Sequence, residues 1–381
     1  MRVALVLAGY SRTPRGSQVL VRQLACGLRA RGHRVHLVTY ARARRRLPRR
    51  RRVHLEPSVA RVVHDIGMTV RLWQLVRRGR CDVIHAHNYE AAIAGLIVGY
   101  LTGVPLVYHG HTVLAEELPM YFAHPLARRL AARLGAILDA QVPKRAAFCV
   151  AVTDELALRL RRAGVRPRDL VCVTPVGPPS DLRRQARTGR GLPTGGVCYA
   201  GNLDGYQNLA FLGRAFARVR RVVPEARLVV VTHAACPLAP PWVDAPLAGV
   251  ELLTARTYDE VHDQLVAADV AVSPRAAGAG FPMKLLNYMA AGKAIVASAG
   301  SAKGLSDRVT ARVVPDGDER AFAAAIVELL RRPEERLRLG AAARRLVQSP
   351  RAWERVLDRI EDVYRTVRPD RAAAERRMRA S

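Results

Sequence analysis

The sequence predicts an α/β protein of two doubly wound, Rossmann-like domains facing across a cleft, with a last helix crossing back to the first domain. Three observations predict it. Short apolar, β-branched runs alternate with helical patterns along the chain, the signature of parallel sheets covered by helices. A stretch from Gly177 to Gly196, rich in Pro, Gly and Arg, breaks the alternation, and the pattern then restarts. The chain has 381 residues, half of them apolar, which is material for two cores. The expected boundaries are a first domain over 1–180, a linker over 181–195, a second domain over 196–350, a crossing helix over 351–367 and a basic tail over 368–381.

The first domain opens on a strand, Val3–Ala8, followed by a helix from about Gln18 to Arg31 that ends at Gly32, and a strand Val35–Thr39. Gly16 and Ser17, just before the helix, can offer backbone N–H groups to a phosphate or a sugar. The loop has no GxGxxG, which argues against a dinucleotide site. A helix near Ser58–Arg78 leads to the strand Val83–His85, which delivers His87 and Asn88. Helix Tyr89–Leu101 and strand Leu106–Tyr108 deliver His109-Gly110-His111. Open α/β sheets bind ligands at the carboxyl ends of their strands, so these histidines are site candidates. An HxH pair can ligate a metal, but no Asp, Glu or Cys is arranged near it in sequence. Sugar-contacting or structural histidines are the expectation, with no metal. The run Ala91–Tyr108 approaches membrane-spanning length, but Gly95, Gly99, Gly103 and Pro105 divide it into helix, turn and strand. Leu126, Leu130, Leu134, Ile137 and Leu138 form one helical stripe opposite Arg128, Arg129 and Arg133. The stripe is expected to face the core, with a groove for a lipid as the alternative beside Glu116–Phe122. Strand Phe148–Val152, a helix from Asp154 and strand Leu170–Thr174 complete the domain.

The second domain begins with strand Val197–Ala200, Gly201-Asn202, a helix to about Arg221 and strand Arg227–Thr232. Strand Val250–Leu253 and helix Asp259–Ala267 precede the most informative stretch, Val270–Ser298. There a strand, Val270–Ser273, runs into a loop with Gly278, Gly280 and Pro282, a helix Met283–Ala291 and a strand Ile295–Ser298. A glycine loop before a helix N-terminus, with free N–H groups, is an expected anion site. Lys284 in the first turn opposes the helix dipole unless an anion lies beside it. The chain has only four lysines, at 144, 284, 293 and 303, and three belong to this unit or follow it closely. The last helix, Ala352–Arg365, has an apolar face long enough to cross back to the first domain.

The net charge is +30, of which residues 1–185 carry +21, from 32 basic and 11 acidic residues. Eight arginines fall between Arg42 and Arg52 with no acid among them. An anionic membrane surface is the expected partner of this cluster. No helix-turn-helix, zinc finger or RNA-binding aromatic motif accompanies the charge, so nucleic acid is not expected. The six cysteines have no metal spacing and read as small buried hydrophobes in a reducing compartment. With no secretory signal before the first strand, a cytoplasmic location is expected, with peripheral association at the inner face of the cell membrane.

An ordered set of fragments resembles the retaining nucleotide-sugar glycosyltransferases of the GT-B fold, glycosyltransferase family 4, of bacterial glycan or exopolysaccharide type. The fragments are GSQVLVRQLACGLRARGHRVHLVT, CDVIHAHN, PLVYHGH, VCYAGNLDGYQNLAFLGRAF and FPMKLLNYMAAGKAIVAS. The resemblance implies transfer of a hexose from a UDP- or GDP-linked sugar to a glycan or lipid-linked acceptor, with no cofactor and no metal. It implies a catalytic centre near His111, His109 and Gly16, and an acceptor side at His87 and Glu117. The donor side it implies comprises Ser17, Asn202, Gln207, Arg275, Gly280, Phe281, Lys284 and Asn287. The sequence departs from the family in that two glutamates spaced eight apart read Ala279 and Asn287. The family's arginine and lysine after the first donor strand read Asn202 and Gln207, so phosphate neutralisation falls to Arg275 and Lys284. A nucleotide-sugar epimerase of the same fold and a non-catalytic binding or scaffold protein are the alternatives.

Overall fold

A computed structural model describes residues 1–9, 16–40, 59–122, 124–176, 195–232, 248–255, 257–276, 278, 280–348 and 350–368. The Arg42–Arg52 segment, the linker before Gly195, the tail beyond Arg368, Ala279 and Cys236 lie outside the described residues.

The first sheet consists of β1 (Arg2–Leu7), β2 (Arg34–Val38), β3 (Val83–His87), β4 (Leu106–Gly110), β5 (Phe148–Ala151) and β6 (Leu170–Cys172). All pairs are parallel, in the order β2-β1-β3-β4-β5-β6. The second has β7 (Gly196–Ala200), β8 (Arg227–Thr232), β9 (Val250–Thr254), β10 (Val270–Ser273), β11 (Ala294–Ser298) and β12 (Arg312–Val314). Its order is β12-β11-β10-β7-β8-β9, again parallel throughout. Strands covered on both faces must be apolar on both; every residue from Val3 to Leu7 is at most 1% exposed, and Val270, Ala271 and Val272 are wholly buried.

Helices α1 (Gly16–Ala30), α2 (Val59–Arg77), α3 (Tyr89–Thr102), α4 (Leu114–Glu117), α5 (Pro125–Gln141) and α6 (Asp154–Arg162) belong to the first domain. The second carries α7 (Leu209–Val222), α8 (Tyr258–Ala267), α9 (Lys284–Ala290), α10 (Glu319–Arg331) and α11 (Pro333–Val347). The last helix, α12 (Pro350–Val367), returns to the first domain as expected. Its Trp353, Val356, Leu357, Ile360, Val363 and Tyr364 join a core with Val3, Leu5 and Leu7 of β1 and Leu24 and Leu28 of α1. Arg31 anchors it through Glu354, Asp358 and Glu361, and His33 bonds Glu361 at 2.8 Å.

In each sheet the chain reverses direction beside its first strand, between β1 and β3 and between β7 and β10. Side chains and loops at the carboxyl ends there diverge and leave a crevice. Gly16, Ser17 and His87 lie at the first switch point, and Asn202, Gln207 and Arg275 at the second. No described helix is long and apolar enough to cross a membrane.

Two expectations are corrected. The α5 stripe faces outward: Leu126, Leu130, Leu134 and Ile137 are each more than half exposed, and Ala131 and Gly135 face inward instead. The physical reason is room. A Cβ on Gly135 would lie 2.6 Å from the Ala115 backbone, so α5 packs by its small residues and cannot turn leucines inward there. Of the cysteines, Cys81, Cys149 and Cys198 are buried, whereas Cys26 is exposed on the outer side of α1.

Candidate functional site between the domains

The second-domain half is built on the loop after β7. Tyr199, at 0% exposure, donates its hydroxyl to the Asn202 carbonyl at 2.7 Å. Asn202 donates to Asp204 at 2.5 Å and to the Tyr206 hydroxyl at 2.8 Å, and receives the Gln207 amide at 2.6 Å. Lys284 enters this network from the start of α9, donating to the Tyr199 hydroxyl at 3.0 Å and to Gln207 Oε1 at 2.5 Å. Its ammonium also lies 4.1 Å from the Tyr199 ring centre. Burial, with the Arg275 charge adding to it, holds the Lys284 ammonium well below its usual range. Among the described residues no carboxylate is bonded to it. A desolvated cation held only by neutral dipoles favours an anion as its missing partner.

Arg275 follows β10, its guanidinium 5.2 Å from the Tyr206 ring centre, with Nε buried and unbonded. The two glycines of the loop are required by this cation and by the opposite domain. A Cβ on Gly278 (φ 146°) would lie 2.5 Å from the guanidinium, and one on Gly280 would meet the His111 carbonyl at 2.6 Å. The free N–H groups expected at the helix start are partly used: Leu285 bonds the Pro282 carbonyl and Leu286 that of Met283. With α9 only seven residues long, an anion here is held mainly by the two cations. Asn287 is half-buried one turn into α9, and Phe281 packs against cores of both domains, a joint between them.

On the first domain, β3 and β4 pair so that His87 lies opposite His109. His85, two residues before His87 on β3, points to the same face. His85, His87, His109 and His111 form a column, with ring centres 4.6 Å apart for His85–His87, 4.7 Å for His87–His109 and 5.0 Å for His109–His111. His85 Nε2 meets His109 Nδ1 at 3.1 Å, His87 Nδ1 meets His111 Nε2 at 3.0 Å, and the Tyr364 hydroxyl of α12 meets His85 Nδ1 at 2.6 Å. Burial pushes His111 down to about 4 and His85 to about 3, and holds His87 and His109 well below their usual range. All four are therefore neutral near pH 7. Nitrogens of His85, His87 and His109 lie within 4.8 Å of one another, but His85 Nε2 is paired with His109 Nδ1 and His87 Nδ1 with His111 Nε2, so a metal ion would have to displace these bonds. His87 and His109 are essentially buried, whereas His111 retains an accessible edge.

Glu117 ends α4, whose first N–H groups at Leu114 and Ala115 are received by Asp139 at 3.0 and 2.9 Å. Its carboxylate accepts the Tyr121 hydroxyl at 3.1 Å and acts electrostatically on Tyr206 of the other domain. Ser17 donates to Gln18 at 3.0 Å. Gly16 abuts α9, since a Cβ there would lie 2.7 Å from Met283 Cγ, and Lys303 pairs with Glu155 across the domains. Contacts thus bring Gly280 against His111, Gly16 against Met283 and Lys284 against Gln207 and, through it, Asn202, while His87 and His109 are buried and Ser17 and Asn287 adjoin these residues in sequence. Tyr199, Tyr206, Tyr121 and His85 were missed, because polar tips at the ends of apolar strands and turns leave the apolar pattern unchanged.

Residues 14–177 match the model for Glycosyltransferase Family 4 and residues 194–332 the model for Glycosyl transferases group 1. The chain is 25% identical over 314 residues to the phosphatidyl-myo-inositol mannosyltransferase of Propionibacterium freudenreichii subsp. shermanii, covering 78% of this chain and 77% of that one. It is 28% identical over 310 residues to the D-inositol 3-phosphate glycosyltransferase of Saccharomonospora viridis, covering 75% of this chain and 70% of that one. Among solved structures, sucrose-phosphate synthase from Thermosynechococcus elongatus superposes with a TM-score of 0.75 at 18% identity, over 96% of this chain and 99% of that one. Anabaena HepE in complex with UDP and glucose gives 0.67 at 16% identity, over 95% and 99%. The protein is an enzyme of the glycosyltransferase class, with the GT-B fold. The resemblance of its motifs to glycosyltransferase family 4 is in keeping with the family model matched over residues 14–177.

Proposed function

We propose that the protein transfers a hexose from a UDP- or GDP-linked sugar to a polyol headgroup or glycan carried on a lipid, with retention of configuration and without a metal. The observation that carries the donor half is the cation pair. Arg275 and Lys284 stand at the switch point of the second sheet, and among the described residues the one has an unbonded buried nitrogen and the other no acid bonded to it. A departing diphosphate gains negative charge, and cations in a desolvated cleft stabilise it most where that charge develops. Neutral His111, at the facing wall, is suited to hydrogen bonding with the sugar or the diphosphate. No carboxylate is nominated as a nucleophile, in keeping with same-face departure and attack assisted by the diphosphate. A HepE structure holding UDP-glucose supports a nucleotide-sugar donor, and the inositol-lipid and inositol-phosphate names of the relatives support a polyol acceptor.

The lipid side of the reading rests on exposed apolar surface. Besides the α5 stripe, Val62, Val63 and Ile66 of α2 and Tyr100 and Leu101 of α3 are more than half exposed. Exposed apolar side chains on a strongly basic domain suit an anionic leaflet. Calorimetry with UDP and with GDP tests the donor assignment: one of the two binds with a single site per chain. Binding of neither would contradict it.

A further inference from the structure

The crossing helix does more than cover a core. Its Tyr364 is wholly buried, and its hydroxyl ends on His85 Nδ1 at 2.6 Å. A buried phenol keeps its proton, and burial raises Tyr364 well above its usual range. That proton needs an acceptor, so His85 Nδ1 must be bare and Nε2 must carry the ring's hydrogen. The next link follows from the same count. His85 Nε2–H donates to His109 Nδ1 at 3.1 Å, which leaves the His109 proton on Nε2. That nitrogen is buried and has no partner among the described residues. A neutral ring has one proton to give, so each bond in the row fixes the next. Buried donors without acceptors are rare in folded proteins, and one whose ring lies against His111, the column member with an accessible edge, calls for a ligand oxygen.

We propose that Tyr364 and His85 are positioning residues, acting through hydrogen bonds to hold His109 as an Nε2–H donor toward the bound sugar or diphosphate. The proposal rests on the glycosyl-transfer reading for what His109 meets, but not for the order of protons in the row. Because α12 is the last helix of the chain and packs on the first domain, the donor state of His109 depends on that helix being seated.

The full chain, labelled with ¹⁵N at histidine, allows long-range proton–nitrogen correlation spectra to read each tautomer without any substrate. His85 and His109 are expected as Nε2–H tautomers near neutral pH. A proton on Nδ1 of His85 would overturn the proposal, whatever the enzyme turns over and whether or not any variant folds. In Tyr364→Phe the row loses its terminal donor while the ring still fills its place. His109 is then expected as a mixture of tautomers, and kcat for acceptor-dependent nucleotide release falls about tenfold with the donor KM little changed. Ile360→Val loosens the same helix without touching the row and should leave the tautomers and kcat as they are. An Ile360→Val loss equal to that of Tyr364→Phe, or an unchanged His109 in Tyr364→Phe, would reduce the tyrosine to packing and overturn the proposal. Absence of turnover in the unaltered enzyme would instead contradict the transfer reading and leave the tautomers to decide this one.

Discussion

Among the described residues the half-buried Lys284 ammonium is bonded to a phenol and an amide and to no carboxylate, so it gains little from staying charged. A bound diphosphate would restore the missing partner for Lys284 and for the free Nε of Arg275. Lys284→Ala and Arg275→Ala should each weaken binding of the nucleoside diphosphate by about 1.5–3 kcal/mol, the range for hydrogen bonds to charged groups. Calorimetry reads this directly, and unchanged affinity in both variants would remove them from the diphosphate. At this scale the sequence was partly legible. Lys284 stood out because a cation opposes the dipole at a helix start, and the glycines because they interrupt a strand–helix unit. What those glycines accommodate was not legible: Gly280 meets the His111 carbonyl of the other domain, and Gly278 meets Arg275 only through the folded turn of the loop.

Among the elements, the paired strands β3 and β4 bear the next prediction. Their histidines are held below the ordinary value of 6.5, with His111 at about 4. In the unfolded chain each takes up a proton near 6.5, whereas in the folded protein uptake waits for lower pH. The unfolded state therefore binds more protons between these values, and stability falls as the pH drops from about 6.5 toward 4, by about 1.4 kcal/mol per pH unit for each proton withheld. Denaturant melts across that range should show the slope, and His87→Asn should reduce it; a flat profile would contradict burial of the column. The helix α5 teaches the opposite lesson about legibility. Its apolar stripe reads as a core face by period alone, but Gly135 brings the backbone of Ala115 so close that the small-residue side must face inward. Periodicity locates a stripe without saying whether protein or lipid covers it. Replacing Leu126, Leu130, Leu134 and Ile137 with glutamine should change stability by no more than about 0.5 kcal/mol per substitution, as for other exposed sites. Sedimentation with anionic vesicles should fall sharply in the same variant, and equal sedimentation would leave the stripe without a lipid role.

For the whole molecule, the fold was legible because parallel strands buried on both faces are short apolar runs and the helices between them are periodic. The way the domains meet was not, since Phe281, Met283 and Lys303 find their partners only in the folded chain. The charge asymmetry belongs to this scale too. A first domain with a large basic excess should bind anionic vesicles with an electrostatic part that fades as salt shortens the screening length, and an apolar part that persists. A salt series separates the two, and substitution of the arginines between Arg42 and Arg52 by serine should remove only the first; loss of both parts together would contradict separate contributions.

The account stands most directly on transfer itself. The full chain is incubated with UDP- and GDP-hexoses, with and without inositol phospholipid vesicles or a glycan extract, and nucleoside diphosphate release is followed beside the anomeric configuration of the product. The account predicts release from one nucleotide sugar that accelerates when the acceptor is added, giving a glycoside with the donor's configuration. Conversion of the sugar while still on its nucleotide, with no acceptor present, or binding of the nucleotide sugar with no release under any of these conditions, would contradict it.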